Sequence, residues 1–139
     1  KLGIASAVFT TEKGAKWAAF GFDLWNRTKS TEKRAQLLNA CEYISSSRFC
    51  AELVTPIQAC VYPRIGSDGK TRSVSVINTT VGKSGDLKLT VRNAASDRFT
   101  FVSMTSDERV LSAEKISESE YLVAVPSIDG WSIGTVFIG

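Results

Sequence analysis

Histidine is absent from this 139-residue chain. That absence removes Ser–His and Cys–His nucleophile activation, imidazole zinc sites and imidazole pH switching together. Long apolar runs are missing too: no stretch of about 18 apolar residues occurs, so no segment is expected to span a membrane. Charge of one sign is also in short supply. The net charge is only +3, too little to argue for a nucleic-acid partner. Its distribution is uneven: residues 1–72 carry 11 Lys and Arg against 6 Asp and Glu, a net +5, whereas residues 73–139 carry 6 against 8, a net −2. Internal repeats and low-complexity tracts are lacking. What remains, 43% hydrophobic and 22% charged residues, is the composition of a globular chain long enough for one core. A single compact domain is expected, with sub-lobes 1–65 and 66–139.

Pattern along the chain predicts an α+β fold, mostly antiparallel β. Residues 4–10 and 16–24 flank Thr11-Glu12-Lys13-Gly14, where Gly14 supplies the positive φ of a hairpin loop. The second stretch is apolar or small on both sides, around Trp17 and Phe20, which reads as a strand buried on both faces. One helix follows over about 31–45. Ser30 or Thr31 serves as N-cap, Glu32 complements the dipole, and Leu37, Ala40, Cys41 and Ile44 form the apolar stripe. Pro56 interrupts the next apolar run and marks an edge or a bulge. Beyond residue 73 the alternation has period two: Leu87, Leu89, Val91; Phe99, Phe101; Tyr121, Val123, Val125; Trp131, Ile133, Phe137. This predicts a β-sandwich-like or meander half with one buried face.

Few segments carry chemistry. Arg64-Ile-Gly-Ser-Asp-Gly-Lys-Thr71 ends like a phosphate loop, but the first glycine is replaced by Arg64 and a strand follows, so a hairpin turn is expected. Asp107, Glu108, Glu114, Glu118 and Glu120 offer carboxylates for glycan hydrolysis, which requires one acid raised by burial. No catalytic residue, metal ligand or cofactor is assigned. Cys50 has no histidine to activate it and is expected to be inert or bridged.

The cysteines, at 41, 50 and 60, are odd in number. Cys41 closes the helix and Cys50 opens the next strand, and a Cys41–Cys50 bridge would contribute about 2–3 kcal/mol in the chain-entropy account. Cys41–Cys60 is an alternative, and Cys50–Cys60 requires the Pro56 bend.

Gly3-Ile4-Ala5, Gly14, Trp17-Ala18-Ala19-Phe20-Gly21, Ala40-Cys41, Cys50-Ala51-Glu52-Leu53-Val54 and Ala59-Cys60 together resemble a family of small secreted bacterial proteins of unknown function. The resemblance covers residues 1–62 and implies export, periplasmic or secreted, and an intramolecular disulfide, with no activity attached. A chain that begins at Lys1 and enters strand-like sequence at once also fits a mature protein whose export signal has been removed, or a trimmed chain.

The expected function is therefore that of a non-enzymatic exported protein acting through protein–protein contacts: an envelope-complex subunit, an inhibitor or immunity partner, or a secreted effector. The contact residues expected are Trp25, Arg27, Lys29, Lys33 and Arg34, with the edge near Pro56. The alternatives are a small carboxylate-dependent glycan hydrolase and a carbohydrate-binding module. The second needs an exposed indole, for which Trp25 is favoured, while Trp17 and Trp131 are expected in the core.

Overall fold

A computed structural model describes residues 6–21, 31–45, 49–105 and 108–139. Two compact units result, Lys1–Phe49 and Cys50–Gly139. The boundary lies well before the expected 65, because the strands that follow Cys50 pair with the second half of the chain.

In the first unit, β1 (Ser6–Thr10) and β2 (Lys16–Phe20) form an antiparallel ribbon, in register from Ser6↔Phe20 to Thr10↔Lys16. Gly14 turns the chain at φ 81°, and its amide donates to the Thr11 carbonyl at 2.9 Å. Helix α1 (Thr31–Ser45) has Glu32 in its first turn and packs on β2. The bounds agree with the sequence reading; the buried stripe does not. Gln36 donates to Ser6 Oγ, the Tyr43 and Thr10 hydroxyls bond at 2.6 Å, and Lys16 Nζ lies 5.1 Å from the Tyr43 ring centroid. These anchors turn Gln36, Asn39, Ala40 and Tyr43 toward the ribbon, across a cavity of about 260 Å³. That face is one residue earlier than the apolar stripe, a rotation of about 100°. Ala40 is consequently buried, Leu37 half-buried, and Cys41 and Ile44 exposed. Strand β2 is likewise not buried on both sides. The helix covers the face of Lys16, Ala18 and Phe20, while Trp17 on the other face is 57% exposed, directly across from Phe9.

The second unit is a two-sheet sandwich whose ladders are all antiparallel. Four strands lie in the order β3 (Ala51–Leu53), β6 (Leu87–Arg92), β10 (Glu120–Val125), β9 (Ala113–Lys115). Five more lie in the order β4 (Ala59–Ile65), β5 (Thr71–Asn78), β11 (Ser132–Ile138), β7 (Phe99–Ser103), β8 (Arg109–Val110). Pro56 is exposed in the crossover from β3 to β4, both of them edge strands, so no ladder needs its missing N–H. Gly66 to Lys70 forms the β4–β5 hairpin turn, with Gly69 at φ 75°. Here the Asp68 carboxyl is held below its ordinary value, chiefly by accepting the Lys70 amide, against slight desolvation, with the Arg72 charge adding to the effect.

Leu87, Leu89 and Val91, Phe99 and Phe101, and Tyr121, Val123 and Val125 all enter the core, as alternation predicts. Strand β11 reverses the expectation. Gly134, Val136 and Ile138 face inward, and Ile133 and Phe137 face out. The reversal has a steric cause. The Phe101 ring occupies the space beside Gly134, where a Cβ would stand 2.5 Å from Cε2, so only a glycine lets this strand approach β7. Phe99 and Tyr121 join the sheets across the core, ring centroids 5.3 Å apart. Among the described residues, no helix is long and apolar enough to cross a membrane.

Candidate functional site

The two outer faces of the sandwich differ in chemistry. On the four-stranded sheet, Glu52, Lys88, Arg92, Glu114 and Glu120 alternate with the core residues. Arg92 Nη2 lies 3.2 Å from Glu52 Oε2, and Arg92 Nε lies 2.8 Å from Glu120 Oε1. This is a ladder of cross-strand charges suited to water. Glu108, next to β8, and Glu118, in the β9–β10 turn, are exposed; Glu120 is half-buried on Arg92, and exposed Glu114 is the one of these carboxylates that lines the shallow cavity of about 330 Å³ beside Lys88 and Leu122. Asp107 lies outside the described residues.

On the five-stranded sheet, register places Cys60, Ile77 and Ile133 in one outward row, and Tyr62, Ser75, Thr135 and Val102 in the next. Arg64, Ser73, Phe137, Thr100 and Val110 form the third. Tyr62 is 56% exposed and Phe137 48%. In the middle row the Ser75 and Thr135 hydroxyls bond one another at 2.9 Å, so one of the two O–H donors is already satisfied within the sheet. Arg64 is the single charged side chain in the three rows.

One end of the sandwich is built from loops 79–86 and 126–131. Asn78 is fully buried. Its Nδ2 donates to the carbonyls of Gly82 (2.8 Å), Ile128 (3.0 Å) and Asp129 (3.2 Å). Its Oδ1 accepts from the Thr80 amide at 3.0 Å. Ser84 Oγ accepts the Ile128 amide at 2.9 Å, and Gly130 packs so closely on Val81 that a Cβ would fall 2.2 Å from its carbonyl oxygen. Held by these bonds, Trp131 adopts φ 53°, a left-handed conformation rare for a bulky residue, and is 71% exposed. Asp129 and Ser132, but not Trp131, line a polar pocket of about 170 Å³ at this end.

Of the residues singled out in the sequence, Trp25, Arg27 and Lys29 lie outside the described residues, as does Ser30. Lys33 and Arg34 are half-buried on α1, and Lys33 Nζ donates to Gln36 Oε1 at 3.3 Å. Cys41, Cys50 and Cys60 are all free thiols, so the expected Cys41–Cys50 bridge is not formed. The helix rotation turns Cys41 to water, and Cys60 stands on the outer face of the five-stranded sheet. Trp17 and Trp131, expected in the core, are both exposed. The outer face was missed because Ile77, Ile133 and Phe137 look like core residues; the pairing register was needed to assign them outward. Compared with protein-family models, curated proteins and solved structures, the chain matches none.

Proposed function

We propose that this is a non-enzymatic exported protein that works by docking another protein on the outer face of its five-stranded sheet. One observation carries the reading: this face presents seven apolar side chains (Cys60, Ile77, Ile133, Tyr62, Val102, Phe137 and Val110) and one charge, whereas Glu52, Lys88, Arg92, Glu114 and Glu120 charge the opposite outer face of the same sandwich. A sheet face with exposed large apolar side chains and a single charge marks an interaction surface. Charge argues for a different protein rather than a second copy. The outward rows contain Arg64 and no acidic residue, so self-pairing would bury a guanidinium with no carboxylate opposite. The partner is expected to present an apolar surface with an acidic residue facing Arg64. Export rests on the resemblance of residues 1–62; the free thiols lend it no support.

The test is capture from the native source by the intact protein, compared with two variants. Tyr62→Asp places a charge on the apolar face and is expected to weaken capture of a specific partner by about tenfold or more. Glu114→Lys, on the opposite face, leaves it unchanged. A partner captured equally by both variants overturns the assignment. Cys60 gives an independent readout, because a bound partner slows its alkylation and leaves that of Cys41 unaltered.

A further inference from the structure

We propose that the loop end of the sandwich is a membrane-contact site, which seats Val81, Met104 and Trp131 in the interface of a phospholipid bilayer without crossing it. These side chains are 87%, 75% and 71% exposed, and each stands on a different loop. The fold brings the three loops together. Gly130 lies against the Val81 carbonyl, and the Trp131 amide donates to the Thr80 carbonyl at 3.2 Å. Met104 stands between Ser103 and Thr105, which line one pocket with Lys83, Asp129 and Ser132. Large apolar side chains on neighbouring loop tips have the form of an interfacial anchor, whose strength grows with the apolar area it buries.

Two features favour lipid as the occupant, and a third selects its kind. The first is the tryptophan. An indole prefers the headgroup level of a bilayer, where its apolar body is buried and its N–H stays wet. Here it is kept exposed at a cost, in a left-handed conformation with φ 53° that a bulky residue adopts only where its surroundings impose it. The second is the backbone. A loop that enters a bilayer must satisfy its polar groups from within. The carbonyls of Gly82, Ile128 and Asp129 accept from Asn78 Nδ2, and that of Thr80 accepts from the Trp131 amide. The amides of Thr80, Ser84 and Ile128 donate to Asn78 Oδ1, the Ile128 carbonyl and Ser84 Oγ in turn. Much of the loop backbone is thus paired without water. The third is charge. Among the described residues, Lys83 and Arg109 stand at this end with Asp86, Glu108 and Asp129, and Lys83 Nζ lies 3.2 Å from Asp129 Oδ1. Such a mixture gives no attraction to anionic headgroups, so apolar burial carries the contact and a zwitterionic bilayer suffices.

Sedimentation of the intact protein with sucrose-loaded phosphatidylcholine vesicles, at low and at high salt, tests the proposal. Lipid-dependent binding that survives high salt is expected. Trp131→Gly and Val81→Asp are each expected to weaken it by about tenfold or more, the scale of one large apolar side chain lost from the buried area. Glycine suits the left-handed φ, so Trp131→Gly is also expected to unfold at a urea midpoint no lower than that of the wild type while losing the vesicle contact. A purely structural role for Trp131 would not separate the two readouts. Trp17→Ala and Tyr62→Asp are expected to leave binding intact, which keeps this site distinct from the protein contact around Tyr62. The proposal is overturned by the absence of lipid-dependent sedimentation or by sedimentation that neither loop variant alters. Binding that needs phosphatidylglycerol and vanishes at high salt also overturns it, in favour of adhesion by surface charge.

Discussion

Gly134 shows how one residue decides which face of a strand is buried. A Cβ there would stand 2.5 and 2.6 Å from Phe101 Cε2 and Cζ, and 3.0 Å from Ile128 Cδ1. The aromatic ring and Ile128 are both buried, so an added methyl group must displace core side chains. Gly134→Ala gains a little backbone entropy but overpacks the core, and the net expectation is destabilisation by about 1–3 kcal/mol. Urea denaturation reads this as a lower midpoint at unchanged slope; a midpoint equal to or above that of the wild type would show that the core yields. The same glycine explains the error of the sequence reading for β11. Trp131, Ile133 and Phe137 alternate as well as any buried set, yet the residue that must be inside has no side chain and leaves no mark in an apolar pattern. Trp131 is illegible for a related reason: a left-handed φ is suggested by Gly or Asn, not by tryptophan, and only the bonds around Asn78 reveal it.

At the scale of elements, legibility follows the number of apolar faces. In β6 and β7 the larger apolar side chains lie on one side, so period two fixes the buried set; in β10 Leu122 and Ala124 also face outward, and the bulkier, β-branched and aromatic set Tyr121, Val123 and Val125 is the buried one. The extent of helix α1, Thr31–Ser45, matches the sequence expectation. Its rotation was not legible, since Gln36 and Tyr43 anchor it by polar contacts that an apolar stripe does not encode. The same contacts indicate how firmly this unit is held. A two-stranded ribbon is marginal alone, and so is a 15-residue helix. Here they share a cavity, a few hydrogen bonds and one buried alanine. Amides of β1, β2 and α1 are therefore expected to exchange hydrogen through openings of lower free energy than amides of β5, β6, β10 and β11. Exchange read by mass spectrometry on peptides from each element checks the ranking, and uniform protection across both units would contradict it.

At the scale of the whole molecule, the core belongs to one part of the chain. All of its clustered buried residues, from Ala51 to Ile138, lie in the second unit, and both sheets of the sandwich are complete within it. Each sheet covers the other's apolar face, and among the described residues no strand of the sandwich takes a ladder partner from residues 1–49. The fragment 50–139 is accordingly expected to fold alone, with a single cooperative urea transition and dispersed methyl resonances. Fragment 1–49 is expected to show no such transition, because it has only Ala40 among the buried hydrophobic residues described. The outcome also bears on function. The outer face around Tyr62 is built from residues 50–139. A folded fragment should thus retain the Tyr62-dependent protein contact. A fragment that folds cooperatively yet loses that contact would move the binding determinants into residues 1–49, where the resemblance to secreted proteins lies.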